Sequence, residues 1–284
     1  FKITGKLANA KLSPAPTELA ADRRTLLWPR IEAINGRITL DGSRLLIHAD
    51  SARTQGIPLA GVDVVIPDVM ADAPVLDVTG NASGPLQSLV GYVNATPIAG
   101  WTDGLTEEAK ALGNARVSLK LQIPLGVDGQ TSVQGAVRFA GNEVQLWHSV
   151  PVVQQLNGEL SFSDRGFQLG NLTGNLLGGP IMFAGGTQRD GSMLVKLDGA
   201  VTADGIARHA TAAAAKRMAK RLTGTTRYSA MVRVKNQRPD ITLDTSLAGM
   251  AIDLPAPFNK SAADSLPLRV AVVPVGLFDQ ALQS

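Results

Sequence analysis

The sequence predicts a mainly β protein: a long, twisted, curled and mostly antiparallel sheet forming an elongated apolar groove, with about three helices covering or capping it. Three observations carry this. Short stretches alternate apolar and polar residues at period 2 through most of the chain. No strand–helix–strand rhythm recurs, which argues against a doubly wound parallel sheet. One stretch is also written twice.

The first copy runs Ile31-Glu-Ala-Ile34-Asn35-Gly36-Arg-Ile38-Thr-Leu40, then Leu45-Leu-Ile47 and Gly56-Ile57-Pro58. The second runs Val153-Gln-Gln-Leu156-Asn157-Gly158-Glu-Leu160-Ser-Phe162, then Phe167-Gln-Leu169 and Gly178-Gly179-Pro180. Asn35 and Asn157 stand 122 residues apart (157 − 35), as do Pro58 and Pro180 (180 − 58), so no gap is needed. Asn-Gly tolerates positive φ and reads as a tight turn leading into a strand with one apolar and one polar side. The two related units, 28–66 and 150–188, are expected within a single elongated β-groove segment covering 1–284.

Taken in order, Phe1-Lys-Ile3-Thr-Gly5-Lys-Leu7 alternates as a strand, and Ser13-Pro-Ala-Pro16 interrupts it. Glu18 to Arg24 is polar enough for a loop or a short helix. Strands are predicted near Gly36–Leu40, Arg44–Ala49, Val62–Ile66 and Val75–Thr79. Gly84 to Val93 has apolar residues at helical spacing with Pro85 in its first turn, a short helix. Leu105–Leu112 reads as a second. Alternation returns in Ala115–Pro124, Gln130–Phe139, Glu143–Trp147, Ile181–Phe183 and Met193–Leu197. The one long helix is expected over Thr202–Leu222, with Thr202 or Asp204 as N-cap, alanines at its centre and Gly224 just past its end. Tyr228–Val234, Asp240–Leu247 and Leu268–Val273 are the last strands.

The composition is 44% apolar but only 4% aromatic and 18% charged, so the apolar surface is aliphatic and must be buried, paired or used. A net charge of +3 with scattered basic residues does not make the basic stripe and stacking platform of a nucleic-acid binder. The absence of cysteine excludes a disulfide framework and a thiolate metal site. The longest uncharged run, Val78–Thr102, is broken by Pro85, Pro97 and four glycines and is not a membrane span. A chain opening at Phe1 without a signal pattern is expected to be an excised or mature piece.

Chemistry-bearing motifs are scarce. His48, His148 and His209 lack metal-ligand spacing, and no cofactor fingerprint occurs despite 29 glycines. Asp63, Asp68, Asp72 and Asp77 read as solvated edge and turn residues. The one concentration of charge lies on the expected long helix, where Lys216, Arg217, Lys220 and Arg221 are candidate contacts for lipid headgroups or an acidic partner, against the plainer reading of an exposed helix. No catalytic residue, metal or cofactor is expected.

The aliphatic side of the alternation is the candidate binding surface. It consists of Ile38, Leu40, Ile47, Val64 and Ile66; of Val117, Leu119, Leu121, Ile123, Val137 and Phe139; of Leu160, Phe162, Leu169, Ile181 and Phe183; and of Val195, Leu197, Val232, Val234, Ile241, Leu243, Val270 and Val272. A curled sheet lined this way suits acyl chains, each buried methylene contributing about 0.8 kcal/mol.

Trp28-Pro-x-Ile31-x-x-Ile34-x-Gly36, Asn157–Phe162 and Leu121-Gln-Ile-Pro124-Leu125 resemble the YhdP family, and so above all does Asp244-Thr-Ser-Leu247-Ala-Gly249-Met-Ala-Ile252-Asp-Leu254-Pro255-Ala-Pro257-Phe-Asn-Lys260. These are AsmA-like proteins of Gram-negative bacteria, related in architecture to TamB, and the likeness spans Trp28 to Val272. It implies a periplasmic body anchored in the inner membrane, a long β-groove, and a part in moving phospholipid toward the outer membrane that supports envelope integrity. Without an anchor segment, the chain is expected to be a middle or late part of a longer protein. The partners implied are phospholipid, membranes through the full-length protein, and neighbouring segments of the same chain at the sheet edges, with no nucleic acid. The alternatives are a non-enzymatic envelope scaffold whose β core is sealed by its own packing, and a hydrolase of envelope polymers, which would need convergent carboxylates.

Overall fold

The computed structural model describes residues 1–13, 28–96, 98–101, 104–125, 131–148, 150–210, 212–235 and 238–272. Strands β1 (Lys2–Leu12), β2 (Ile31–Asp41), β3 (Arg44–Thr54), β4 (Ile57–Ile66) and β5 (Val75–Pro85) lead into helix α1 (Leu86–Asn94) and the single turn α2 (Ile98–Trp101). Next come β6 (Lys110–Leu112), β7 (Asn114–Pro124), β8 (Ser132–Gln145), β9 (Val153–Ser163), β10 (Gly166–Leu176), β11 (Gly179–Thr187) and β12 (Met193–Thr202). Helices α3 (Ala203–His209) and α4 (Ala213–Ala219) precede β13 (Leu222–Lys235), β14 (Arg238–Thr245), β15 (Met250–Ile252) and β16 (Leu268–Val272). The strands form one open antiparallel sheet in chain order, with β6 set aside onto β8 and β15 onto β13. The mainly β class read from alternation is the one observed. By internal contacts the chain divides into two compact units: Phe1–His148 with Glu159–Phe167, and Ser149–Gly158 with Gln168–Ser284.

In the first unit, Ile34, Ala49 and Ala52 are buried with Leu7, Ala10, Ile31, Leu59 and Val62 packed around them. Pro85, at φ −55°, caps α1, which lays Leu86, Leu89 and Val90 on Ala111, Ala115, Val137, Phe139 and Val144. Asn142 has no exposed surface. Its side chain accepts from Ala140 N at 2.9 Å and donates to the Leu112 and Asn114 carbonyls at 3.1 Å each, tying β8 to β6 and β7. A buried amide so satisfied fixes register.

In the second unit, Thr202 is the N-cap of α3, its hydroxyl accepting from Gly205 N at 3.0 Å. Gly205 lies so close to the Leu177 carbonyl that a Cβ could not fit, which seats α3 on the β10–β11 turn. Lys260 is 8% exposed, and its ammonium donates to the carbonyls of Leu247, Met250 and Ser261 at 2.8, 2.8 and 2.9 Å.

Three expectations are corrected. The long helix over Thr202–Leu222 is two short ones: Ala210 turns to ψ 119°, and Leu222 already begins β13. Alanine gives helix propensity but almost no apolar area, and in α4 only Ala219 is buried, so packing does not enforce a longer helix. The helix over Leu105–Leu112 is a turn followed by β6, because Gln87 and Asn94 of α1 bind its backbone as an irregular segment: Ala111 N donates to Gln87 Oε1 at 2.7 Å, and Asn94 Nδ2 to Thr106 O at 2.8 Å.

Asn-Gly is not a hairpin turn in either copy. It sits inside a strand, beside a bulge whose positive-φ residue lies two positions earlier, Ala33 at φ 51° and Gln155 at φ 51°. Asn35 Nδ2 donates to Ala33 O at 3.0 Å, and Asn157 Nδ2 to Gln155 O at 2.7 Å. Glu18–Arg24 and the residues from 273 on lie outside the described residues.

Candidate functional site

Residues paired across an antiparallel ladder project to the same face, so the registers sort every candidate. In the first unit one row runs Ile38–Ile47–Val64–Val78–Leu121–Val133. Beside it lie Leu40–Leu45–Ile66 and Leu76–Ile123 on one side, and Leu119 and Val117–Val137 on the other. Leu119 faces Gly135, and the space a Cβ would take at Gly135 is occupied by the Phe162 ring. Leu160 follows Glu159, whose carboxylate turns to the opposite face and takes Arg138 Nη2 at 2.9 Å.

In the second unit the rows are Leu172–Phe183–Leu197–Ala230–Leu243–Val270 and Leu169–Gly185–Val195–Val232–Ile241–Val272. A third is Gly174–Ile181–Gly199–Tyr228–Thr245–Leu268, and Val234 pairs with Met193. Within each unit the candidates therefore share a face, and most are half-buried. Several places differ from a bare surface, Val133 at 2% and Leu172 at 5% exposure among them. Val137 and Phe139 are covered by α1, and Ile181 is only 3% exposed.

The other face carries the polar residues. Lys6–Arg37–His48–Asp63–Thr79–Lys120–Gln134 is one continuous row. His48 Nδ1 lies 2.6 Å from Asp63 Oδ1 and its Nε2 3.3 Å from Asp50, and the Asp63 hydrogen bond raises the imidazole pKa above 6.5. Asp77 accepts from Gln122, Asp68 from Met70 N, and His148 pairs with Glu108 at 3.1 Å. Among the described residues no group of three or more His, Asp or Glu is arranged to hold a metal, and no helix is long and apolar enough to cross a membrane.

A depression of about 1080 Å³ lies on the polar face of the second unit. Its walls are Thr173, Met182, Asp198, Ser229, Asp244 and Arg269 with Pro180, Ala200, Arg227 and Ser246, and its floor is the row between them. No aliphatic row other than that floor takes part.

Sequence reasoning missed several members of the apolar face. Leu45, Val78 and Val133 continue the alternation and were legible. Leu172 was not, because a bulge at Asn171 (φ 50°) shifts the parity between Leu169 and Leu172. Tyr228 was missed for another reason: it is a polar residue type on a mostly aliphatic face, its phenol oxygen buried without a hydrogen-bond partner, and burial pushes its pKa up to about 12. The four basic candidates lie apart from these rows. Lys216 and Arg217 are on α4, Lys220 caps it, and Arg221 Nη1 stands 3.2 Å from Asp253.

An open antiparallel sheet with one aliphatic and one polar face defines a mainly β class of protein. The YhdP family model matches residues 1–274, and the chain belongs to that family, which is not a known enzyme family. No curated protein and no solved structure matches it.

Proposed function

We propose that the chain is a non-enzymatic part of a bridge-like lipid transfer protein of the periplasm, holding phospholipid acyl chains on its aliphatic face between inner and outer membranes. Within this reading it belongs to an inner-membrane-anchored protein, supports outer-membrane integrity and pairs its sheet edges with neighbouring segments of the same chain. The observation that carries it is the run of aliphatic rows, the Ile38–Val133 row being six strands wide and half-buried from Ile38 to Leu121. Family membership fits a lipid-transport-like envelope protein. At about 0.8 kcal/mol per methylene, such rows hold an acyl chain without a specific headgroup contact.

Native mass spectrometry after detergent-free purification tests it. The parent is expected to carry phospholipid, Leu119→Asp and Leu121→Asp to lose most of it, and Lys120→Ala on the opposite face to keep it. A parent free of lipid, or both aspartate variants retaining it, rejects the reading. The second reading, a scaffold with a sealed core, is favoured by one observation: α1 already covers Val137 and Phe139.

A further inference from the structure

The residues that follow α4 and those that follow β15 meet at one point. β15 pairs with the start of β13, Leu222 opposite Ile252, which sets Arg221 beside Asp253. Asp253 N donates to Arg221 O at 2.8 Å, and their side chains pair at 3.2 Å. From Ala203 to Arg221 the only acidic side chain is Asp204, against Arg208, Lys216, Arg217, Lys220 and Arg221. Lys216, Arg217 and Lys220 are exposed and have no carboxylate within 4.0 Å among the described residues. Each of the two segments also carries an exposed apolar side chain, Met218 at 47% on α4 and Phe258 at 72% after β15.

Phe258 is not exposed because its loop is loose. Ile252 and Lys260 exchange backbone hydrogen bonds at 2.9 and 3.0 Å, closing the base of the loop. Phe258 N donates to Pro255 O at 2.9 Å, and the Lys260 ammonium pins the same base to three carbonyls. A phenyl ring held out to water by a fixed loop, in a segment tied at Asp253 to the end of the cationic one at Arg221, is pre-organised for a target that is apolar below and anionic above.

We infer that α4 and the Leu254–Asn259 loop dock on an anionic bilayer surface, with Lys216, Arg217 and Lys220 meeting phosphate headgroups and Phe258 entering the acyl boundary. The charge complementarity of three unpaired cations argues for the anionic surface, and the protruding aromatic argues for a bilayer over a soluble acidic protein. The patch uses no residue of the aliphatic rows, so this inference stands apart from the lipid-holding one.

Flotation of the whole chain with phosphatidylcholine vesicles, with and without phosphatidylglycerol, tests it. Binding is expected only to the phosphatidylglycerol vesicles and is expected to weaken with salt. The triple variant K216E/R217E/K220E should lower partitioning by about a hundredfold. F258S should lower it by about tenfold, and Asp253→Asn should raise it. All five positions are exposed, so urea midpoints near the parent's are expected and separate lost docking from lost fold. Equal binding to neutral vesicles, or parent-like binding by the triple variant or by F258S, overturns the proposal. So does capture by soluble polyglutamate without flotation, which assigns the patch to an acidic protein. The triple variant is expected to retain copurified phospholipid, so the failure of either proposal is visible independently of the other.

Discussion

The two copies of the repeated stretch share backbone devices and differ in charge. Strands Ile31–Asp41, Arg44–Thr54 and the start of β4 recur 122 residues later as Val153–Ser163, Gly166–Leu176 and the start of β11. The positive φ values recur with them: Ala33 and Gln155 both at 51°, Gln55 at 48° and Leu177 at 51°, Gly56 at 79° and Gly178 at 80°. Ala33, Gln155, Gln55 and Leu177 are not residue types that favour this region, so the surrounding hydrogen bonds must hold them there. The charged group on the polar face does not recur. His48, Asp50 and Asp63 have Gly170, Leu172 and Gly185 at the matching positions. In the third strand Gly61 (φ 58°) makes a bulge in β4, where β11 has Phe183 on the apolar face. What the copies share is the means of bulging a strand while keeping its apolar side on one face; the polar face is free to vary.

The largest effect is expected at the glycine of each Asn-Gly pair. A Cβ at Gly36 would strike the His48 carbonyl, which is backbone and cannot rotate away. At Gly158 the nearest atom is Leu172 Cδ2 at 2.9 Å, a movable side chain, but φ is 120°. Gly36→Ala is expected to cost about 3 kcal/mol by overpacking, and Gly158→Ala about 2 kcal/mol by backbone strain. Urea unfolding of the two variants measures both. Tolerance at Gly36 would mean that the close approach of β2 and β3 is not required.

A smaller loss is expected at the asparagines. Asn35 bonds Ala33 O at 3.0 Å, accepts from Asn9 N at 3.0 Å and donates to Ser51 at 3.3 Å, while Asn157 bonds Gln155 O at 2.7 Å. Asn35→Ala and Asn157→Ala should each destabilise by about 1 kcal/mol. Glycine at Ala33 or Gln155 should recover part of that by removing the side chain from the left-handed region. If one copy responds and the other does not, the shared φ values have different causes.

Much of this was legible beforehand, and the failures have several causes. Period-2 alternation located Ile38 and Leu121 on one face in the first unit, and Val195 and Val232 on one face in the second, because regular strands keep parity. It could not foresee Leu172 on the same face as Leu169, because the bulge at Asn171 inserts a residue. Asn-Gly was readable as a positive-φ signal but not as a bulge anchor, since hairpin turns draw on the same dipeptide. The break at Ala210 had no local mark: propensity favours one helix through the alanines, and only the lack of anything for it to bury decides otherwise. Lys260 ends the Asp244–Lys260 segment, but nothing in a linear sequence indicates that its ammonium ends on three carbonyls.

The smallest effect separates the copies by charge. His48 is solvent-exposed, with one carboxylate on each ring nitrogen, and its pKa is raised above 6.5, chiefly by the hydrogen bond to Asp63. A group with a raised folded pKa contributes its stability fully below the unfolded value and loses it as pH rises through the folded one. The first copy should therefore weaken as pH climbs from 6.5 through the raised value, while the second, with Gly170 at the matching position, has no such titration there. His48→Gln should remove that slope from a series of urea midpoints across this pH range. A slope that survives the substitution would place the titrating group elsewhere. Because solvent screens exposed pairs, the change should be smaller than that of either asparagine variant, which makes it the finest test of whether the outer face adds anything that the shared backbone does not.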